Sequence, residues 1–178
     1  MPHLLKLILI SATFVLAGCA TTVQLPASAE PKLEIGAAAK KHLVLFVQGT
    51  KMSMESNDWE QLRTAWRNAM SASAAAAGLS FGYQDSLPTL ATETATLVIV
   101  TVNDYRYVSQ GARLAVGIAT GNAFINADVS FVELPTNAVA GTRKYSTTSS
   151  AGQGIFAPMT EKQIEAISNE ILKEITQQ

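Results

Sequence analysis

The chain has 178 residues and a formal net charge of −1, which is enough length for one domain with a real core. It offers no electrostatic case for nucleic acid, which binds basic faces. Charged residues make up 15%, against about 25% in an ordinary soluble domain, so Ala, Ser and Thr leave a neutral-polar surface.

Met1–Lys6 is a short, mildly positive start, and Leu7–Leu16 is an uncharged apolar core. That core has the length of a signal segment, about 7–15 residues, and is too short to span a bilayer as a helix. Leu16-Ala17-Gly18-Cys19 follows and holds the only cysteine. These four residues resemble the lipobox of bacterial lipoproteins. The resemblance implies cleavage between Gly18 and Cys19, diacylglycerol on the Cys19 thiol and an acyl group on its new amine. Several acyl chains hold firmly where a single chain holds marginally. In Gram-negative lipoproteins an Asp after the acylated Cys retains the protein in the inner membrane. Ala20 stands there, which implies the periplasmic face of the outer membrane if the source is Gram-negative. The competing readings are an ordinary secretory signal with a chance cysteine, or a buried structural thiol. An exported odd thiol left unmodified would be open to oxidation and wrong pairing.

The expected organisation is a signal peptide over 1–18, a lipidated Cys19 with a flexible tether over 19–40, and one periplasmic domain over 41–178. Prolines, small residues and a lack of periodicity over 21–39 suggest the tether. His42–Gly49 is a nearly continuous apolar run rich in β-formers and predicts a buried strand. Asn57–Ala77 predicts a helix, with Asn57 and Glu60 as a capping-box start and Gly78 at its C′ position. Trp59, Leu62, Trp66, Ala69, Met70 and Ser73 form its packing face.

Leu79–Gln84 predicts a short strand. Thr96–Val108 predicts a central one, with Val98, Val100 and Val102 on one face and Leu97, Ile99 and Tyr105 on the other. Ala123, Ile125, Ala127, Val129 and Phe131 alternate with polar residues, so Ala123–Phe131 predicts a half-buried strand. Thr142–Thr148 pairs with it after a turn region over Leu134–Gly141. Thr160 and Gln163 give a second capping-box pattern before a helix whose Ile164, Ile167, Ile171 and Ile175 face the core. The expected fold is α+β, one twisted, mainly antiparallel sheet packed against two helices.

From Thr101 onward the chain resembles a family of uncharacterised bacterial lipoproteins that share a domain of unknown function. The resemblance rests on a strand, then Gly111-Ala112-Arg113, then Val116-Gly117 to Gly121, then the alternating strand Ala123–Phe131. The chain departs from it at Ile118-Ala119-Thr120, where a more glycine-rich or aromatic stretch is expected. The resemblance implies an envelope location and an α+β layout, and no established activity.

No catalytic constellation is expected. His42 is the only histidine after cleavage, and Asp128 and Glu133 lie too far from it in sequence for metal-ligand spacing; no G-x-S-x-G elbow occurs, and no second acidic residue stands beside Asp104 for paired-carboxylate chemistry. No cofactor or metal follows from these residues. The segment Ser109–Asn122 carries Gly111, Gly117 and Gly121, but lacks the G-K-[ST] of a phosphate loop. It reads as a crossover between strands or, more sharply, as a partner-docking loop in which Arg113 meets a carboxylate or lipid phosphate. Tyr105 and Tyr107 share a strand face, as a packing pair or as a stacking platform. The expected function is a non-enzymatic, lipid-anchored binding or assembly component, with the membrane, an unknown envelope protein or a second copy as partner. The alternatives are a small envelope hydrolase acting on peptidoglycan or lipid, and a ring- or pore-forming subunit.

Overall fold

The computed structural model describes residues 23–24, 31–87, 92–109, 111, 115, 121–148 and 158–176. Six strands form one open sheet: β1 (Val23–Gln24), β2 (His42–Gly49), β3 (Ser80–Gln84), β4 (Ala95–Arg106), β5 (Phe124–Leu134) and β6 (Ala138–Thr148), in the order β1-β6-β5-β4-β2-β3. Three helices accompany them: the single turn α1 (Lys51–Met54), then α2 (Trp59–Ala76) and α3 (Met159–Thr176). The fold is α+β, with α2 and α3 packed on one face of the sheet.

The sheet is mixed. β2 runs parallel to both β3 and β4, whereas β4–β5, β5–β6 and β1–β6 are antiparallel. The expectation of a mainly antiparallel sheet therefore holds for three of five pairings. The parallel pair β2–β3 exists because a parallel return needs a crossover long enough for a helix, and α2 supplies it.

The sheet's helix-facing side builds the main core. Leu43, Leu45 and Val47 of β2, Val98, Val100 and Val102 of β4, and Ile125, Ala127, Val129 and Phe131 of β5 lie against Trp59, Leu62, Trp66 and Met70 of α2 and Ile164, Ile167, Ile171 and Ile175 of α3. The opposite side is divided. One end carries a second buried cluster of Val44, Phe46, Ala95, Leu97, Val132 and Leu134. The other end places Gln48, Thr101, Asp128 and Lys144 side by side through the strand register.

Three expectations are corrected. Where the stretch expected as a flexible tether over 19–40 is described, it is part of the domain. Val23–Gln24 pairs with β6, and Leu33, Ile35 and Ala39 are buried in the main core. Their apolar side chains alternate with Lys32, Glu34 and Gly36, a pattern too short to outweigh the nearby prolines in a sequence reading. Tyr105 stands on the helix-facing side, because a bulge between Val102 and Asp104 inserts one residue and reverses the alternation. It packs against Trp59 with ring centroids 6.3 Å apart.

The capping boxes are also absent. Asp58, not Asn57, precedes the first turn of α2, without a side-chain cap. Gly78 does end that helix region, with φ of +71°. At α3, the side chains of Thr160 and Gln163 instead bond the backbone of Val108 and Ala123, just past β4 and just before β5.

Candidate binding surfaces

Leu16, Ala17, Gly18 and Cys19 of the expected lipobox lie outside the described residues, as do Arg113 and Gly117 of the expected docking loop. Gly111 is exposed. Gly121 has φ of +78°, a conformation glycine adopts without strain, and a Cβ there would meet the Arg106 guanidinium at 2.9 Å. Arg106 itself lies over the Phe124 ring at 6.0 Å.

Both ends of the Ser109–Asn122 segment are held by the first turn of α3. The Val108 N–H donates to Thr160 Oγ1 at 2.8 Å, and Gln163 Nε2 donates to the Ala123 carbonyl at 2.9 Å. Val108, Ala123 and Met159 close a small apolar cluster between these two bonds. A buried backbone group left without a partner is costly, so Thr160 and Gln163 anchor the helix to the loop's two feet. That function of Thr160 and Gln163 is invisible in sequence, where the same spacing matches a cap.

His42 and Asp128 do not converge. His42 Nδ1 lies 3.6 Å from Glu93 Oε2 at the start of β2. Asp128 is in register with Thr101, which pairs with Gln48. Six residues of strand separate His42 from Gln48, about 20 Å at 3.3 Å per residue. Among the described residues no group of three or more His, Cys, Asp or Glu side chains gathers as a metal site.

Where the carboxyl ends of β2 and β4 meet, α1 covers the crevice. Thr50 Oγ1 and Ser53 Oγ each reach the Asn103 carbonyl at 3.3 Å and lie 2.9 Å from one another. Tyr105 Oη donates to the Ser53 carbonyl at 3.4 Å. In open sheets with parallel strands this crevice is a common ligand position; here its polar groups are satisfied by one another.

Tyr107 is likewise structural, donating from Oη to Glu161 Oε1 at 2.8 Å. Burial, with help from the Glu161 carboxylate, pushes the Tyr107 phenol above its ordinary value near 10. The folded state therefore holds the proton longer than the unfolded state does. The corresponding stability is intact below about pH 10 and falls as pH rises above it. Alkaline unfolding followed by circular dichroism should show a shallower loss above that pH for Tyr107→Phe than for the parent chain; equal slopes would refute this.

The polar end of the open face forms a shallow groove of about 370 Å³, lined in part by Gln24, Asn103, Asn126, Asp128, Lys144 and Ser146. Asn103 Nδ2 donates to Asp128 Oδ2 at 3.0 Å, and Ser146 Oγ donates to Asn126 Oδ1 at 2.7 Å. The groove thus offers amide, hydroxyl, carboxylate and ammonium groups on rigid strands, a surface for polar contacts. Sequence reasoning did not find it, because it arises from the β5–β6 register and the β4 bulge. The alternation of Asn126, Asp128 and Ser130 with apolar residues was its one sequence signal.

No protein-family model and no curated protein matches this chain. Solved structures do. An uncharacterised protein aligns at 13% identity and a TM-score of 0.50, over 82% of this chain and 97% of its own. The PelC dodecamer from Paraburkholderia phytofirmans aligns at 14% identity and 0.48, over 83% and 95%. A Xanthomonas campestris protein of the DUF330 family, one of unknown function, aligns at 10% identity and 0.45, over 79% and 88%. What the chain shares with the first of them, at so low an identity, is its fold.

Proposed function

We propose that this chain is a lipid-anchored cell-envelope protein that works by docking rather than by catalysis. The observation that carries the reading is Leu16-Ala17-Gly18-Cys19 behind the uncharged core Leu7–Leu16. Acylated Cys19 confines the domain to a membrane and so raises its effective concentration near partners there. Ala20 in the sorting position favours the periplasmic face of an outer membrane. Docking is favoured over hydrolysis because His42, whose carboxylate neighbour is Glu93, lies about 20 Å along the sheet from the polar groove around Asp128.

The surfaces available to an envelope partner or a second copy are the polar groove around Asp128 and the exposed apolar side chains Met52 and Val139, 75% and 65% accessible. Among the described residues no helix is long and apolar enough to cross a membrane, so the reading assigns membrane attachment to the acyl groups. Cys19→Ser is expected to shift the protein out of the membrane fraction or leave it unprocessed. Unchanged membrane fractionation would contradict the anchor.

A further inference from the structure

The two edges of the sheet differ. At one edge β6 is partly covered by β1, which pairs with its Ser146 and Thr147. The rest of β6 carries Arg143 and Lys144, and its register with β5 shifts after Phe131. Charge, a bulge and a short covering strand are devices by which an edge avoids adding a foreign strand. At the other edge stands β3. Its five residues, Ser80-Phe81-Gly82-Tyr83-Gln84, include no charge and no proline, and they span about 17 Å. Among the described residues only β2 pairs with it, which leaves its outer row of N–H and C=O groups open.

The side chains beside this edge favour one kind of strand. Phe81 and Tyr83 lie on the helix side, packed against the main core. Two guanidiniums of α2 approach the Tyr83 ring, Arg63 at 5.9 Å and Arg67 at 5.6 Å from its centroid. Arg63 donates to Tyr83 Oη at 2.8 Å and to Glu60 Oε1 at 3.1 Å, and it pairs with Asp85. Both nearby carboxylates are thereby engaged. Arg67 is exposed and has no hydrogen bond or ion pair among the described residues. The other charges near the strand do not answer it. His42 takes Glu93 on the opposite face of the sheet, and Lys41, whose carbonyl accepts from Ser80 Oγ at 3.1 Å, stands at the strand's start.

We propose that the β3 edge accepts an extended segment of an envelope protein, with a carboxylate side chain of that segment on Arg67. A strand added there lies about 4.8 Å outside β3. Its residue opposite Tyr83 shares that residue's face, with Cβ atoms about 5 Å apart, within reach of the guanidinium beside the ring. Backbone hydrogen bonds then give affinity, and the acidic side chain gives selectivity. A second copy joined two-fold through the same edges is disfavoured, because it sets two Arg67 side chains on one face of the junction. The inference deepens the docking reading, naming the surface and the partner's chemistry, and does not depend on the acyl anchor.

The test uses the full-length protein in detergent and the fluorescent peptide acetyl-STVEVTS-amide. Anisotropy is expected to show saturable binding, with hydrogen exchange slowed at Ser80–Gln84. Replacing the central Glu of the peptide by Lys should weaken binding about fivefold, and Arg67→Glu should reverse that preference. Methylating the three central backbone nitrogens of the peptide removes its donors without touching the protein, and should abolish binding. No binding, or indifference to methylation, overturns the proposal. Slowed exchange around Asp128 in place of β3 overturns it while leaving docking, through the polar groove, intact. Amides of β3 already protected in a free dimer assign the edge to a second copy and overturn the acidic partner.

Discussion

Trp66→Ala is expected to cost about 3–5 kcal/mol, the range for truncating a fully buried Trp or Phe side chain. In a domain of this size that lowers the Tm by roughly 10 °C. Trp66 is 0% exposed and is the largest of the fully buried side chains. It belongs to the cluster in which α2, α3 and the sheet meet, with Met70, Val100 and Ile167. The cavity left by its removal would be walled by strands and helices that relax only in part. Its Nε1–H has no hydrogen-bond partner among the described residues, so Trp66→Phe deletes that donor along with one ring. That variant should lose less, on the order of 1–2 kcal/mol. Thermal unfolding followed by circular dichroism measures both. A loss below about 1 kcal/mol for Trp66→Ala would mean that this residue does not fill the core.

Arg143→Met is the second large effect, expected at about 2–4 kcal/mol. Arg143 is 5% exposed. Its Nη2 donates to the Pro31 carbonyl at 2.7 Å and to Glu174 Oε2 at 2.9 Å, and its Nη1 donates to the Thr142 carbonyl at 2.9 Å. One guanidinium therefore ties the residues preceding β2, strand β6 and the end of α3. Loss of the guanidinium leaves the Glu174 carboxylate and the Pro31 and Thr142 carbonyls without this donor. Glu174→Gln keeps an acceptor and removes only the charge, so it should cost less. Hydrogen exchange adds a local readout: amides near Gly36, whose N–H donates to Glu133 Oε2 at 2.8 Å, should exchange faster in Arg143→Met. An unchanged exchange rate there would show that the guanidinium does not hold this segment.

Much of the fold was legible because the strong patterns are local. His42–Gly49 is the observed β2 to the residue, since the apolar run Leu43–Val47 between polar residues has few other uses. Ala123, Ile125, Ala127, Val129 and Phe131 are all buried as the alternation predicts. Ile164, Ile167, Ile171 and Ile175 are all 0% exposed, because a helical stripe of this period must face a core. What failed depends on partners distant in sequence. The bulge at the end of β4 comes from its pairing with β5, so the face of Tyr105 could not be read from β4 alone. Thr160 and Gln163 have cap spacing, yet Val108 and Ala123, some fifty and forty residues away, take their hydrogen bonds.

The N-terminal segment shows the same limit in a form that bears on function. Leu33 is buried because Gly141 has no side chain. A Cβ at Gly141 would stand 2.6 Å from Leu33 Cδ2, and nothing near Leu33 in the sequence announces that space. A long tether would let the domain sample any orientation. Val23 instead pairs with Thr147 of β6, so the sheet begins four residues after Cys19.

Of the expected docking loop, Gly121 has a defined reason to be glycine, its positive φ beside Arg106. The polar groove around Asp128 was not anticipated, since its lining comes from β1, β4, β5 and β6 together.

The measurement that most directly tests the central claim is the intact mass of the full-length protein extracted in detergent from the membranes of a lipoprotein-processing host. The account predicts a chain beginning at Cys19 that carries diacylglycerol and an amide-linked acyl group. A chain that retains Met1, or one cut elsewhere with an unmodified Cys19 thiol, would contradict it.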